Sequence, residues 1–527
     1  MNVNKRSIEK LPKWVLLVVV IIAAAISFSL IHAQLGDDEA MTLSRGTAVA
    51  NAIRLLDAKQ FALTLLVSHH PPARNLITVP FLWLIDYNEV ALRFPNILGW
   101  IATAVVATFI GNHLGGWRAG LLAGIFIGGS GLFSLQAMGH GHGFFTLWIM
   151  LLIWHLLRNP SFFLDTKQEC RAYAVGGICC IIAFLWFTSA IAVAVPYHAI
   201  YGYYAIEKYV LKRNSFKSYI YLTVPFVIFY LIYYFIFLGI PAYFHHIGIQ
   251  DFPGGQLHQN LARSSTAHLN IISLIENLQA INGMFFPFLS WALLAIGTFY
   301  LLKHQSNIFI VLIPYAVVMS FYISGGTPGH FLAYFSWILP FSAVVLTQTL
   351  KNKLYFTSNL VVLTLLIVTW STVIHIIRYQ EYSYPDRILN ATFSRVGWYN
   401  NIVQPYDKII SDLELNLNPG EHFTVVTRSA AILYYFDKNK HYETHREMND
   451  IQIEKRKGFE CLVLDIASKE KKDEIIKAAV SYGYDKFWNK PIEKAPISNS
   501  QDFCPENVKQ VIYYPKSDFQ LTLFSTP

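Results

Sequence analysis

Three consecutive carboxylates, Asp37-Asp38-Glu39, stand four residues beyond an uncharged 20-residue stretch at 14–33. Carboxylates crowded against an apolar span are costly to place there and mark functional sites more often than ordinary loops do. An ionised carboxylate can take the proton of an attacking hydroxyl. A pair of them can also hold a divalent cation. Further polar groups follow at intervals: His69-His70-Pro71-Pro72, Glu89 with Arg93, Gly139-His140-Gly141-His142-Gly143, His245-His246, Asp251, Arg263, and the run Gly325 to His330. Arginines suit a phosphate through paired N–H donors, and histidine is a weaker alternative.

The elements that must position these groups are membrane spans. The chain has 527 residues, of which 54% are hydrophobic and 14% charged. Its mean hydropathy is +0.38. A soluble domain carries about 25% charged residues, so most of this chain is expected in lipid. A window of about 20 apolar residues crosses a bilayer as a helix. That criterion predicts about eleven spans, near 14–33, 92–112, 117–137, 143–157, 172–187, 188–206, 219–240, 284–302, 307–324, 331–350 and 355–377. The first is too long for the apolar core of a cleaved signal peptide and lacks an A-x-A site.

Basic residues set the expected orientation. With the N-terminus in the cytoplasm, the inner segments hold 15 of them, including Lys5, Arg6, Arg118, Arg158, Lys212 and Arg213. The outer loops hold six: Arg45, Arg54, Lys59, Arg74, Arg93 and Arg263. The positive-inside rule therefore places the N-terminus inside and the C-terminus outside. The pI near 9.0 follows from this distribution and not from a nucleic-acid partner. The lack of eukaryotic targeting signals favours a prokaryotic plasma (inner) membrane.

Two outer loops are long, 34–91 and 241–283. The first contains an apolar pattern over 40–56 that suits a helix lying on the membrane, and Pro71-Pro72 opens a second apolar stretch to Ile85. In this orientation nearly all the polar motifs fall on the outer face, where a cavity at the bundle mouth is expected. From Arg378 onward the composition changes, and 20 of the 41 lysines and arginines lie there. Strand-like and helical runs alternate, which predicts a small α/β or α+β extracytoplasmic domain over 378–527, after a membrane domain over 1–377. Cys170, Cys179 and Cys180 read as apolar fillers. Cys461 and Cys504 fall in the outer domain, as a disulfide or as a buried thiol and its neighbour.

The acidic triplet, the His-His-Pro-Pro and the Glu-Val-Ala-Leu-Arg-Phe-Pro at 89–95 form an ordered series. In this combination the chain resembles the GT-C membrane glycosyltransferases, in the branch that includes protein O-mannosyltransferase-like enzymes and the lipid A aminoarabinose transferase. Members show a D-E pair after the first span, then H-P-P, then a span opening with E-x-A-L-R-x-P. The resemblance covers roughly residues 14–350. It implies a polytopic helical GT-C-like fold, an outward-facing site and a polyprenyl-phosphate-linked sugar donor, whose hexosyl or pentosyl group passes to a glycolipid, wall polymer or protein hydroxyl. By the same resemblance Asp38 is the general base, while Asp37 or Glu39 orients the acceptor or holds a divalent ion. The substrate-binding candidates are His69, His70, Arg93, His140, His142, Arg263 and His330. Two departures leave the sugar and acceptor open. Gly-His-Gly-His-Gly stands where members often carry an acidic or arginine motif, and His330-Phe331 stands where many have Arg-Tyr.

Each candidate has a purely structural alternative. Asp38 could cap the helix that follows, Arg93 could pair with Glu89 four residues earlier, and His69 and His70 could cap the next helix. The histidine pairs also suit zinc or copper, so a histidine-rich metal-binding or transport protein is the rival reading. A conduit would need polar residues through the middle of its spans, and these spans are almost uniformly apolar.

Overall fold

The computed structural model describes residues 10–28, 31, 37–67, 71–85, 89–129, 141–209, 213–240, 243, 289–321 and 335–350, together with six strands between 422 and 525. For Asp37, Asp38 and His142 it describes the helical backbone. By contacts the chain divides into two compact units, residues 1–32 with 45–399 and residues 33–44 with 400–527.

The first unit is helical. Helix α1 (Lys13–Phe28) buries Val15, Val19, Ala23 and Ser27, one residue every four, while Trp14, Leu17 and Ile21 stay exposed. Such a stripe lies along one face of a helix. It packs on α7 (Trp117–Gly128), where glycines again recur every four residues. A Cβ added at Gly124 would come within 2.5 Å of Val19, and one at Gly128 within 2.7 Å of Ala23. The two helices approach because α7 presents glycines at the seam, leaving room for Val19 and Ala23 of α1.

Helix α6 (Glu89–Gly115) is the hub. It packs on α1, α7, α5 (Val79–Ile85), α8 (His142–Arg158) and α14 (Leu339–Leu350). Thr103 ties it to α8, its hydroxyl donating to the Gly99 and Gly143 carbonyls at 2.8 and 3.0 Å. Rings close its N-terminal end, with Phe94 5.8 Å from Phe28 of α1 and 5.5 Å from Phe81 of α5.

Helix α9 (Lys167–Trp186) begins in a capping box. The Thr166 hydroxyl accepts the Glu169 N–H at 3.2 Å, and Glu169 returns a carboxylate oxygen to the Thr166 N–H at 3.0 Å. A 3-10 turn, Thr188–Ala190, separates it from α10 (Ile191–Tyr209), close to the expected division of the long 172–206 run. Helix α11 (Arg213–Tyr234) continues through a π turn to Gly239. The Tyr173 hydroxyl bonds His198 Nδ1 at 2.6 Å and the Thr223 hydroxyl at 2.5 Å, linking α9, α10 and α11. Satisfying buried polar groups in this way is what makes them tolerable inside a bundle. Helices α12 (Leu289–His304) and α13 (Ser306–Phe321) complete the unit with α14.

Among the described residues three helices are long and apolar enough to cross a membrane: Glu89–Gly115, Lys167–Trp186 and Ser215–Phe237. The last is only 17% buried over its apolar window, so it stands at the edge of the bundle with Ile220, Val224, Val227, Ile228 and Leu231 turned outward. Shorter apolar helices, among them Lys13–Phe28 and Trp117–Gly128, account for further predicted spans. The predicted span 355–377, residues 331–334 and, apart from residue 243, the loop 241–283 lie outside the described residues.

The described residues of the loop 34–91 are mostly helical. Helix α2 (Asp37–Arg54) begins three residues before the predicted 40–56 segment. Helix α3 (Ala58–Val67) follows, and the apolar stretch after Pro71-Pro72 is broken into α4 (Pro72–Leu76) and α5. The break falls at Ile77-Thr78, where the Thr78 hydroxyl donates to the Asn75 carbonyl at 2.7 Å.

In the second unit, β1 (His422–Val426), β2 (Tyr442–His445), β3 (Phe459–Ile466), β4 (Lys486–Asn489), β5 (Gln510–Pro515) and β6 (Gln520–Ser525) form one mixed sheet in the order β2-β1-β3-β6-β5-β4. Strand β1 pairs in parallel with β2 and β3, β4 pairs in parallel with β5, and β6 runs antiparallel to both β3 and β5. The short connection from Pro515 to Gln520 permits only the antiparallel pairing, since parallel neighbours need crossovers of a dozen residues or more. Cys461 lies on β3, and Cys504 lies outside the described residues.

Candidate functional site

The acidic triplet occupies the first turn of α2, inside the helix and not ahead of it. The positive end of a helix dipole favours carboxylates there. Glu39 is buried, as are Ala40, Thr42 and Leu43. A buried carboxylate in the company of two more exceeds what helix capping requires.

Among the described residues of the first unit, two arginines lie buried. Arg93 sits one turn into α6 and donates from Nη1 to the Ile31 carbonyl at 3.2 Å. It thereby ties the start of α6 to the chain leaving α1. Arg74 sits on α4, four residues after His70. Its guanidinium carbon lies 5.5 Å from the Phe187 ring centroid, a cation–π contact at the end of α9. Arginine is the cation that tolerates this placement, because its planar, weakly hydrated group stacks on a ring face.

Gly141 meets the same arginine. It stands just ahead of α8 with φ +71, and a Cβ there would fall 3.1 Å from Arg74 Cγ and 2.9 Å from Trp186 Cε3. Only glycine suits both the left-handed backbone and the close approach. Trp186 in turn stacks on Phe144 with 4.6 Å between centroids and 9° between planes. Through Arg74 and Gly141, helix α4 and the start of α8 are thus neighbours. Sequence spacing could not show this, since about 67 residues separate the two. The glycine between two histidines was visible; the arginine it accommodates was not. Arg74 went unselected as a site residue, although a charge within an apolar stretch after Pro-Pro is a signal that could have found it.

Of the predicted substrate-binding residues, the structure thus places Arg93 in the core of α6 and His142 at the first position of α8. His69, His70, His140, Arg263 and His330 lie outside the described residues. Among the described residues no group of three or more His, Cys, Asp or Glu side chains could hold a metal ion.

No family model and no curated protein matches the chain. Among solved structures, the chain is similar to the crystal structure of ArnT from Cupriavidus metallidurans bound to undecaprenyl phosphate. The TM-score is 0.53 at 12% identity, over 97% of this chain and 98% of that one. It is also similar to the archaeal oligosaccharyltransferase AglB from Archaeoglobus fulgidus in complex with an inhibitory peptide and a dolichol-phosphate, at TM-score 0.44 and 13% identity, over 89% of this chain and 71% of that one. At such identity the likeness to ArnT speaks to fold. The chain has the fold of the GT-C membrane glycosyltransferases.

Proposed function

We propose that the protein is an integral membrane glycosyltransferase that moves a sugar from a polyprenyl-phosphate-linked donor to an acceptor hydroxyl on the outer face of the membrane. The observation that carries this reading is the end-to-end likeness to the ArnT structure bound to undecaprenyl phosphate, together with an acidic turn after the first apolar helix. The acidic turn and the buried arginines of the first unit are chemically suited to the two halves of such a transfer.

Asp38 takes the proton of the acceptor hydroxyl. The acceptor oxygen then bonds the anomeric carbon as the bond from that carbon to the donor phosphate oxygen breaks. The electron pair leaves with the polyprenyl phosphate, whose charge needs cations or N–H donors. Arg93, Arg263 and His330 are the candidates for that task, and His69, His70, His140 and His142 for shaping the acceptor and sugar sites. Arg74 positions Gly141 and with it the start of α8. Asp37 or Glu39 orients the acceptor. A divalent cation, if bound, would be held by these same carboxylates and would supply further charge stabilisation to the leaving phosphate.

The domain over 378–527 lies outside the membrane in this reading, in a prokaryotic plasma membrane crossed about eleven times. The sugar is a hexose or pentose, and the acceptor is a glycolipid, polymer or protein. The test is reconstitution of the purified protein with polyprenyl-phosphate sugars and envelope extracts. Transfer of label to an extracted acceptor, absent with Asp38→Asn, supports the reading. Absence of transfer from every polyprenyl-phosphate sugar, by protein that remains folded, overturns it.

A further inference from the structure

The turn between α2 and α3 carries apolar surface that no part of the described chain covers. Leu55 is 76% exposed and Leu56 90%. Three bonds close the end of α2: Leu55 N–H to Asn51 O at 2.9 Å, Leu56 N–H to Ile53 O at 3.1 Å, and Asp57 N–H to Ala52 O at 2.8 Å. This is the helix-ending arrangement in which glycine normally takes the left-handed position. Here Leu56 occupies it, at φ +54. A side chain in that region costs about 1 kcal/mol relative to glycine, and this one makes up none of that cost by packing. On the far side, the Asp57 carboxylate accepts the Gln60 N–H at 2.9 Å and starts α3. The tip is therefore held from both sides, with its two leucines projecting.

Its surroundings say what covers it. Helix α2 is fixed to α5 where Gly46 abuts Thr78 and Leu82. Helix α5 is fixed by Phe81 to Phe94, and Phe94 to Phe28 at the end of α1. Helix α2 is thereby tied, through α5, to the end of α1 and the start of α6. Trp83 and Leu84 of α5 are likewise exposed. Arg54 and Lys59 flank the tip and are both exposed. Two leucines flanked by two solvated cations fit an anionic lipid surface, with the apolar chains at the acyl border and the cations on headgroup phosphates; the turn's one carboxylate, exposed Asp57, is engaged by the Gln60 N–H.

We propose that the turn from Arg54 to Lys59 is a leaflet-inserting tip, Leu55 and Leu56 entering the acyl border of the bilayer and Arg54 and Lys59 holding anionic headgroups. That this is the outer leaflet rests on the orientation proposed above; the immersion itself does not.

The test places a nitroxide at Leu55→Cys or Leu56→Cys in the full chain, with Cys170, Cys179, Cys180, Cys461 and Cys504 changed to alanine. The protein is reconstituted in nanodiscs of phosphatidylcholine with phosphatidylglycerol. Oxygen should relax the label several-fold more than a water-soluble nickel chelate does, and Arg54→Gln with Lys59→Gln should reduce that ratio. A label reached by the chelate as freely as a water-exposed one overturns the proposal. If the cysteine-free chain fails to fold, a photoreactive phenylalanine derivative at position 56 of the native chain decides instead. Lipid adducts support immersion, and their absence after efficient photolysis refutes it. A reporter fusion showing the opposite orientation would change only the leaflet.

Discussion

The backbone of Gly141 lies against the side chain of Arg74, so that a Cβ at Gly141 would sit 3.1 Å from Arg74 Cγ. This contact joins two segments that the sequence presents separately. It also yields the most direct structural prediction. Gly141→Ala must adopt φ +71 with a Cβ pressed toward Trp186 at 2.9 Å. The left-handed backbone alone costs about 1–2 kcal/mol, and crowding adds to it. Thermal unfolding in detergent should fall accordingly, and transfer should fall more than stability does. An unchanged midpoint would mean the segment relaxes freely around the methyl group.

Arg93 gives a second prediction. It is fully buried and bonded to the Ile31 carbonyl, so Arg93→Ala removes both the bond and the packing of a long side chain. A loss of about 2–4 kcal/mol is expected from cavity formation and the orphaned acceptor. Arg93→Lys keeps the charge but not the planar fork and should lie between. The readout is the midpoint of unfolding, compared with donor KM in the folded variants. A midpoint unaffected by Arg93→Ala would show that Ile31 finds another donor.

The seam between α1 and α7 supports a third. Val19 and Gly124 approach so closely that a Cβ at Gly124 would fall 2.5 Å from the valine. Gly124→Ala should destabilise the bundle by about 1–3 kcal/mol through overpacking. The combined change Val19→Ala with Gly124→Ala should recover part of it. Double-mutant analysis of unfolding midpoints checks the coupling, and strictly additive effects would count against direct contact.

Catalysis supplies the fourth. Asp38→Asn keeps the shape of the first turn of α2 and removes the proposed base. Transfer should drop by about 10²–10⁴-fold, while expression, membrane insertion and thermal stability stay near those of the parent. Asp37→Asn should do less harm. Near-normal transfer by the Asp38 variant would shift the role to Asp37 or Glu39.

Topology and metal dependence provide the last. A reporter active only outside the cytoplasm should work when fused after residue 380 and be silent near Asn214. Purified protein should keep its transfer activity after chelation. Stoichiometric zinc or copper, lost on changing His140 and His142 together, would favour the metal-protein reading.

Hydropathy and the order of motifs were enough to place many of the helices, because lipid allows few alternatives to a backbone bonded within its own segment. The runs at 92–112, 143–157 and 172–206 accordingly appear as α6, α8 and the α9–α10 pair. The acidic triplet, Arg93 and the two histidine motifs could also be selected by residue type and spacing. Burial and neighbourhood were a different matter. That Arg74 is enclosed and lies on Phe187, that Gly141 makes room for it, and that Leu56 takes a left-handed position with its side chain exposed depend on where other segments come to lie. So does the order β2-β1-β3-β6-β5-β4, which places strands distant in sequence side by side. Local composition sets which stretches become helices. Which residues meet across them is decided by packing between segments, and that information belongs to no single window of the chain.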